Sequence, residues 1–229
     1  TVLSRGLGDV YKRQILHNPR KGMIMKYFNH KPTMRRVYED EEHHSPRQKN
    51  RQSDFYGEIT VSDNHIYLYQ GISPKSVMEM GIAIKSIGQQ IINMVTDLGL
   101  SQAPAIHLHI NSGGGCAFSG LAGASHILDS DIPVFTYVEG SAASAATIMS
   151  CVGAKRFITE HSFMLIHQIS TGVWGTYENL ADEKESMDSL MEMLESIYLK
   201  NTNMKKKQLK QLLKRDLWMN PKKLSLIHI

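Results

Sequence analysis

Residues 137–157 read YVEGSAASAATIMSCVGAKRF, and the fold turns on how that run is understood. Ahead of its small-residue centre lies Ile132-Pro133-Val134-Phe135-Thr136-Tyr137-Val138, apolar, β-branched and aromatic, the composition of a strand. The centre itself, Gly140-Ser141-Ala142-Ala143-Ser144-Ala145-Ala146, holds nothing larger than a serine. One reading is a strand followed by a helix that packs closely. The other is a nucleophilic serine on a strand-to-helix turn, with small neighbours that let a substrate backbone approach. Ser141 and Ser144 compete for that role, and Ser150 is a third candidate.

The composition sets the bounds. The chain has 229 residues, 41% hydrophobic and 21% charged, enough for one globular domain with a real core. The net charge is +4, but the excess sits in residues 21–51 and 205–223, which read as solvated segments rather than a nucleic-acid surface. The two cysteines, Cys116 and Cys151, are not in CxxC spacing. That pattern argues against a disulfide framework or a zinc site and for a reducing, cytoplasmic compartment. No apolar run approaches the about 20 residues needed to span a bilayer, so no membrane association is expected.

Both ends read as non-native. Asp9-Val10-Tyr11-Lys12-Arg13-Gln14 and Leu224-Ser225-Leu226-Ile227-His228-Ile229 can be encoded by strings that are reverse complements of each other. Residues 1–14 and 224–229 are therefore expected to be translated adapter, kept out of fold reasoning. The natural start is expected at Met23, Met25 or further upstream. Residues 15–54 are polar and weakly periodic and read as a flexible N-terminal arm. Within it, His43 and His44 beside an acidic run are read as exposed charge rather than a metal site.

From residue 55 onward strands and helices alternate. His65-Ile66-Tyr67-Leu68-Tyr69 reads as a strand. Ser73 and Pro74 read as the N-cap and first-turn proline of a helix through Leu98. Its apolar face is Val77, Met80, Ile84, Ile87, Ile91, Met94, Val95 and Leu98. Further strands are expected at 105–110, 132–138, 156–159 and 163–166. Helices are expected from the glycine triplet to Leu128, over 144–152, over 177–199 and over 205–213. The long one, 177–199, carries Leu180, Met187, Leu190, Leu194 and Ile197 on one face. This order implies an α/β domain with a largely parallel sheet. Sites in such sheets lie beyond the carboxyl ends of the strands, which brings together Asn111-Ser112-Gly113-Gly114-Gly115 and residues 140–144.

A serine hydroxyl needs a base, the base needs an orienting acid, and the oxyanion needs N–H donors. Ser144 stands at the strand-to-helix turn. His167 ends the apolar strand Phe163-Met164-Leu165-Ile166. Gly114 and Gly115 stand where their N–H groups can face a reacting carbonyl, and Asp216 follows the last helix. Each has a plain alternative. The glycine triplet before a helix also suits a phosphate, although no lysine follows in P-loop spacing. His167 also reads as a structural histidine, and Asp216 as a turn residue.

In their order along the chain these motifs resemble the ClpP family of self-compartmentalised serine peptidases, from about His65 to Lys223. Ile106 to Gly115 is similar to the family's Tyr-Ile-Asn-Ser-Pro-Gly-Gly, and residues 140–146 to its Gly-x-Ala-Ala-Ser-x-Gly, which selects Ser144. Met164-Leu165-Ile166-His167-Gln168 resembles Met-Ile-His-Gln, which selects His167. Arg215-Asp216-Leu217-Trp218 resembles Arg-Asp-x-Phe, which selects Asp216.

The resemblance implies the ClpP/crotonase-like fold for residues 55–223, with 177–199 as a protruding handle helix that joins two rings. It implies Ser144 as nucleophile, His167 as base, Asp216 as its orienting acid, and an oxyanion hole from Gly115 and Ala145 with Gly114 nearby. It implies a homo-oligomer of stacked heptameric rings, peptide or unfolded protein as substrate, and an AAA+ unfoldase partner. No cofactor is expected in this chain, since ATP is used by that partner. Gly113 stands where the family has proline and Ala146 where it has glycine, as in a divergent, phage-type member such as a capsid-maturation protease. A crotonase-like acyl-CoA enzyme and a non-catalytic ring scaffold are the other readings.

Overall fold

The computed structural model describes residues 59–227. The segments 1–14 and 15–54, with His43 and His44, lie outside the described residues.

Helix α1, Pro74–Leu98, begins where the sequence reading puts it. Ser73 Oγ accepts the Ser76 N–H at 3.1 Å, while Ser76 Oγ accepts the Ser73 N–H at 2.9 Å. This reciprocal cap satisfies donors the first turn leaves free. Val77, Met80, Ile84, Ile87 and Ile91 recur every three or four residues and are all buried against the sheet. The stripe then outruns the core: Met94 is 37% and Leu98 67% exposed.

One sheet holds β1 (Thr60–Ser62), β2 (His65–Leu68), β3 (Ile106–Ser112), β4 (Val134–Ala143), β5 (Lys155–Ile158), β6 (Phe163–Leu165) and β7 (Trp218–Met219). Its order is β1-β2-β3-β4-β6-β7, with β5 also on β4. The pairings from β2 to β6 are parallel, and the edge pairs β1–β2 and β6–β7 are antiparallel. The remaining helices are α2 (Ala117–Leu128), α3 (Ala145–Cys151), α4 (Tyr177–Asn201), α5 (Lys206–Leu213) and α6 (Pro221–Ser225). α1 packs on β2 and β3, α3 on β3 and β4, and α2 lies against both helices. Ile66, Leu68, Ile106, Leu108, Ile110 and Met149 are fully buried between these layers.

β4 runs five residues further than the strand expected at 132–138. It keeps β5 as partner through Val138, then takes β6 from Ser141, with Ala142 opposite Met164. Gly140, at φ +81°, sits between the two partnerships. Its N–H donates to Ser162 Oγ at 2.7 Å, and a Cβ there would meet the Asn111 side chain. Ser141 donates from both its N–H and its hydroxyl to Asn111 Oδ1, each at 3.2 Å.

The sequence reading assigned no element to β1, β7 or α6. Through α6 the packed chain continues into the segment read as adapter: Leu224 is fully buried and Ile227 is 8% exposed. Apolar side chains that reach a core are buried whatever encodes them. In α4 only the second half of the expected stripe is buried, at Leu190 and Leu194, joined by Tyr198. Leu180 is 45% exposed, so the first turns of α4 do not pack their apolar side on the core.

The other sheet face carries stacked rings at alternate positions of each strand. His65 faces His107 and Tyr67 faces His109 across β2–β3, and Tyr137 stacks on His109 at 4.8 Å and on Phe157 at 4.6 Å. A hydrogen-bonded chain crosses this face. His65 Nδ1 lies 2.8 Å from His109 Nε2, His109 Nδ1 lies 2.8 Å from Glu139 Oε1, and the Tyr69 hydroxyl donates to Glu139 Oε2. Burial, then the Glu139 hydrogen bond and charge, push the Tyr69 phenol up to about 12. Burial alone would raise the Glu139 carboxyl, but the bonds from Tyr69 and His109 outweigh it and the net direction is down. Burial, with the neighbouring His65 and His109, lowers His107.

Both His107 and Glu139 favour the folded state at neutral pH. A histidine lowered by folding costs stability as pH falls through its ordinary 6.5, because the unfolded chain then binds more protons. A carboxyl lowered by folding contributes above its ordinary 4.5 and loses that contribution as pH falls through its folded value. Thermal melts from pH 7.5 to about 2 are therefore expected to show a falling Tm in two stages, the first below about 6.5 and the second below about 4.5. His107→Phe is expected to flatten the first stage; an unchanged profile would remove His107 from the account.

Candidate active site

The site is built by strand register at the carboxyl end of the sheet. β4 ends at Ala143, opposite Leu165 of β6, and the Ser144 N–H donates to the Leu165 carbonyl at 2.8 Å. His167 follows two residues later. On the other side of β6, Met164 faces Met219 and Leu165 faces Trp218, so His167 lies two residues past the end of β6 and Asp216 two residues before the start of β7. The Gln168 N–H donates to the Leu213 carbonyl at 2.9 Å, which ties the chain after His167 to the end of α5. Ser144, His167 and Asp216 thus each lie within two residues of an end of β4, β6 or β7, strands that neighbour one another in the sheet. Ser144 and His167 are half-buried and Asp216 is exposed. Among the described residues no hydrogen bond or ion pair joins the three side chains.

The structure separates the three serines. Ser141 is engaged with Asn111. Ser150 is buried and donates to the Thr147 carbonyl at 3.0 Å. The Ser144 hydroxyl has no partner among the described residues. Its backbone lies at φ +53° and ψ −125°, a region a side chain occupies only at a cost of about 1–3 kcal/mol. Such strain at a strand-to-helix turn presents the hydroxyl outward. Ala145 and Ala146 behind it are buried, and neither leaves room for a larger side chain without disturbing the core.

The glycine triplet lies beside this turn. A Cβ on Gly114, which has φ +91°, would sit 2.7 Å from Ser144 Cβ, so only glycine lets the loop come this close. The Gly114 N–H donates to Ser112 Oγ at 3.1 Å and is engaged there. The Gly114 carbonyl accepts the Ile72 N–H at 2.8 Å, and the Ile72 carbonyl accepts the Cys116 N–H at 2.9 Å. These bonds fix the loop as a parallel bridge and leave the Gly115 N–H without an acceptor among the described residues. The Ala145 N–H is the first of α3 and has no acceptor inside the helix.

Residues 60–225 match the profile of the Clp protease family, a span that begins with β1 and ends with α6. The chain belongs to the Clp protease family. The Clp protease domain shares 25% identity over 165 residues with the ATP-dependent Clp protease proteolytic subunit 2 of Treponema denticola, covering 71% of this chain and 82% of that one. It shares 33% identity over 117 residues with the proteolytic subunit 3 of Rhodococcus jostii, covering 49% of this chain and 57% of the relative. The ClpP-like mixed α/β fold expected from the motif order is the fold observed.

Two features of this Clp protease domain escaped the sequence reading. The His65–His109–Glu139–Tyr69 chain was signalled by the alternation of His107 and His109 in β3, but which rings touch depends on strand register. Cys116, exposed beside Gly115, has its thiol pulled to lower pKa by hydrogen bonds from Ser119, whereas burial pushes Cys151 up to about 12. A cavity of about 280 Å³ lined by Asp63, Asn64, Ile87, Ile91, Met94 and Pro104 lies at the opposite, amino end of the strands. Among the described residues no helix is long and apolar enough to cross a membrane, and no group of three or more His, Cys, Asp or Glu could hold a metal.

The strain at Ser144 gives a stability test. Ser144→Gly is expected to be more stable than Ser144→Ala by about 1 kcal/mol in urea unfolding, because glycine tolerates positive φ. Equal stabilities would mean the turn is relaxed.

Proposed function

We propose that this chain is a serine endopeptidase of the ClpP type. The observation that supports the reading is the pairing of β4 with β6 and of β6 with β7, which brings side by side the strand ends that Ser144, His167 and Asp216 flank. Ser144 Oγ attacks the peptide carbonyl. His167 takes its proton, then returns it to the leaving amine, and Asp216 holds the ring and stabilises the imidazolium. The N–H groups of Gly115 and Ala145 receive the oxyanion, with Gly114 shaping the loop. In the free chain the three side chains are not yet hydrogen-bonded, and such bonds commonly tighten only when substrate or assembly orders the site.

The resemblance and the family extend this to an assembly. The active form is a homo-oligomer, with α4 joining stacked heptameric rings around a chamber in the cytoplasm. An AAA+ unfoldase supplies ATP-driven entry for folded substrates, and the peptidase chain carries no cofactor. The exposed Trp174, Tyr177 and Leu180 around the start of α4 support a contact there. The open triad also suits a non-catalytic ring subunit, and the same experiment separates the two.

Fluorophosphonate is expected to label Ser144, located by mass spectrometry, with Ser144→Ala losing both the label and peptide hydrolysis while keeping its assembly state. Hydrolysis surviving in Ser144→Ala would remove the nucleophile. An unlabelled, correctly assembled parent would favour the scaffold. Asp216→Asn is expected to lower kcat by about 10³ to 10⁴, since it leaves His167 poorly oriented; unchanged turnover would assign the orienting role elsewhere.

A further inference from the structure

Ser144 is held from behind by a buried relay. Its carbonyl accepts two bonds from one residue, the Thr147 N–H at 2.9 Å and the Thr147 hydroxyl at 2.6 Å. Thr147 Oγ1 also lies 2.6 Å from the Tyr198 hydroxyl on α4. Thr147 has a single hydroxyl proton, and a carbonyl has none to give. The order is therefore fixed: Tyr198 donates to Thr147, and Thr147 donates to the Ser144 carbonyl. Thr147 is fully buried and Tyr198 is 2% exposed. Burial drives the phenol pKa upward, so Tyr198 keeps the proton it donates. At the other end of α3, Arg156 Nη1 donates to the carbonyls of Cys151 and Asn201. α3 is thus tied to α4 near both of its ends.

The Ser144 carbonyl and the Ala145 N–H belong to one planar peptide group and point in opposite directions. Anchoring the carbonyl aims the N–H. We propose that Thr147 and Tyr198 are positioning residues that orient the Ala145 N–H as an oxyanion donor and hold Ser144 in its strained backbone conformation. Two bonds on the carbonyl also polarise the peptide and strengthen the N–H as a donor. A pair present only to fill space needs no donor aimed at Ser144; valine and phenylalanine of similar shape would serve. This inference rests on Ser144 as the nucleophile.

The test is steady-state peptide hydrolysis by the full chain, with kcat and KM resolved, together with the rate of fluorophosphonate labelling. Thr147→Val is expected to lower kcat and the labelling rate by about 10- to 100-fold with KM nearly unchanged, because the donor acts on the oxyanion and not on bound substrate. Thr147→Ser, which keeps the hydroxyl, is expected to recover kcat to within about twofold, and Tyr198→Phe to lower it by about threefold. The idea is overturned if Thr147→Val retains the parent kcat, or if Thr147→Ser falls as far as Thr147→Val. Should Thr147→Val lack the parent's cooperative melt, Tyr198→Phe decides: a parent-like kcat sinks the relay and a reduced one at unchanged KM supports it. Ser144→Ala serves as the separate control. If it is inactive while the Thr147 and Tyr198 variants match the parent, the relay fails and the nucleophile stands. If it stays active, both fail.

Discussion

Between Val138 and Ser141, β4 leaves β5 and takes up β6, and the site depends on that exchange. A strand that kept β5 would end beside Ile158, with its last residues unpaired and the Ser144 N–H without the Leu165 carbonyl. The exchange needs a residue that tolerates positive φ at Gly140 and partners for the groups the kink exposes. Ser162 Oγ accepts the Gly140 N–H, and Asn111 Oδ1 accepts both donors of Ser141. Asn111 lies on β3 just before the glycine triplet. The same residue therefore fixes the kink and begins the loop that packs on Ser144.

Around that kink the structure combines strain with burial. Ser144 adopts an unfavourable backbone conformation, and the cost is borne by its surroundings. Ala145, Ala146, Ile148 and Met149 are buried beneath it, the Leu165 carbonyl accepts its N–H, and Thr147 holds its carbonyl. Small side chains are required on both sides because α3, β4 and the Gly114 loop all approach within contact of the same turn. A site built on strand ends and a helix start in this way is held more closely than one on a free loop.

Away from the site the described residues present two further surfaces. One is the start of α4, where Trp174 is fully exposed and the apolar stripe has no core beneath it. The other is the ring-lined sheet face, where polar atoms are satisfied within the chain by the His65–His109–Glu139–Tyr69 bonds. The first is apolar and exposed. The second is internally hydrogen-bonded and reads as a finished, charge-bearing surface.

What lies within one turn or one alternation of its neighbours was legible in the sequence. The cap at Ser73 and Pro74, the buried stripe of α1, and the alternating strands β2 and β3 each depend on local spacing, and each is where that spacing put it. The order of motifs carried the fold. Tertiary structure decided the rest. Gly140 to Ala143 has little strand preference of its own and becomes strand because β3 and β6 supply hydrogen bonds on either side. β1 and β7, three and two residues long, exist only through their partners. The engagement of the Gly114 N–H, the rings of the open face and the reach of Tyr198 to Thr147 join residues far apart in the chain. Periodicity records which side of an element is apolar; it carries no information on which distant donor meets which acceptor, because that is set by register and packing between elements.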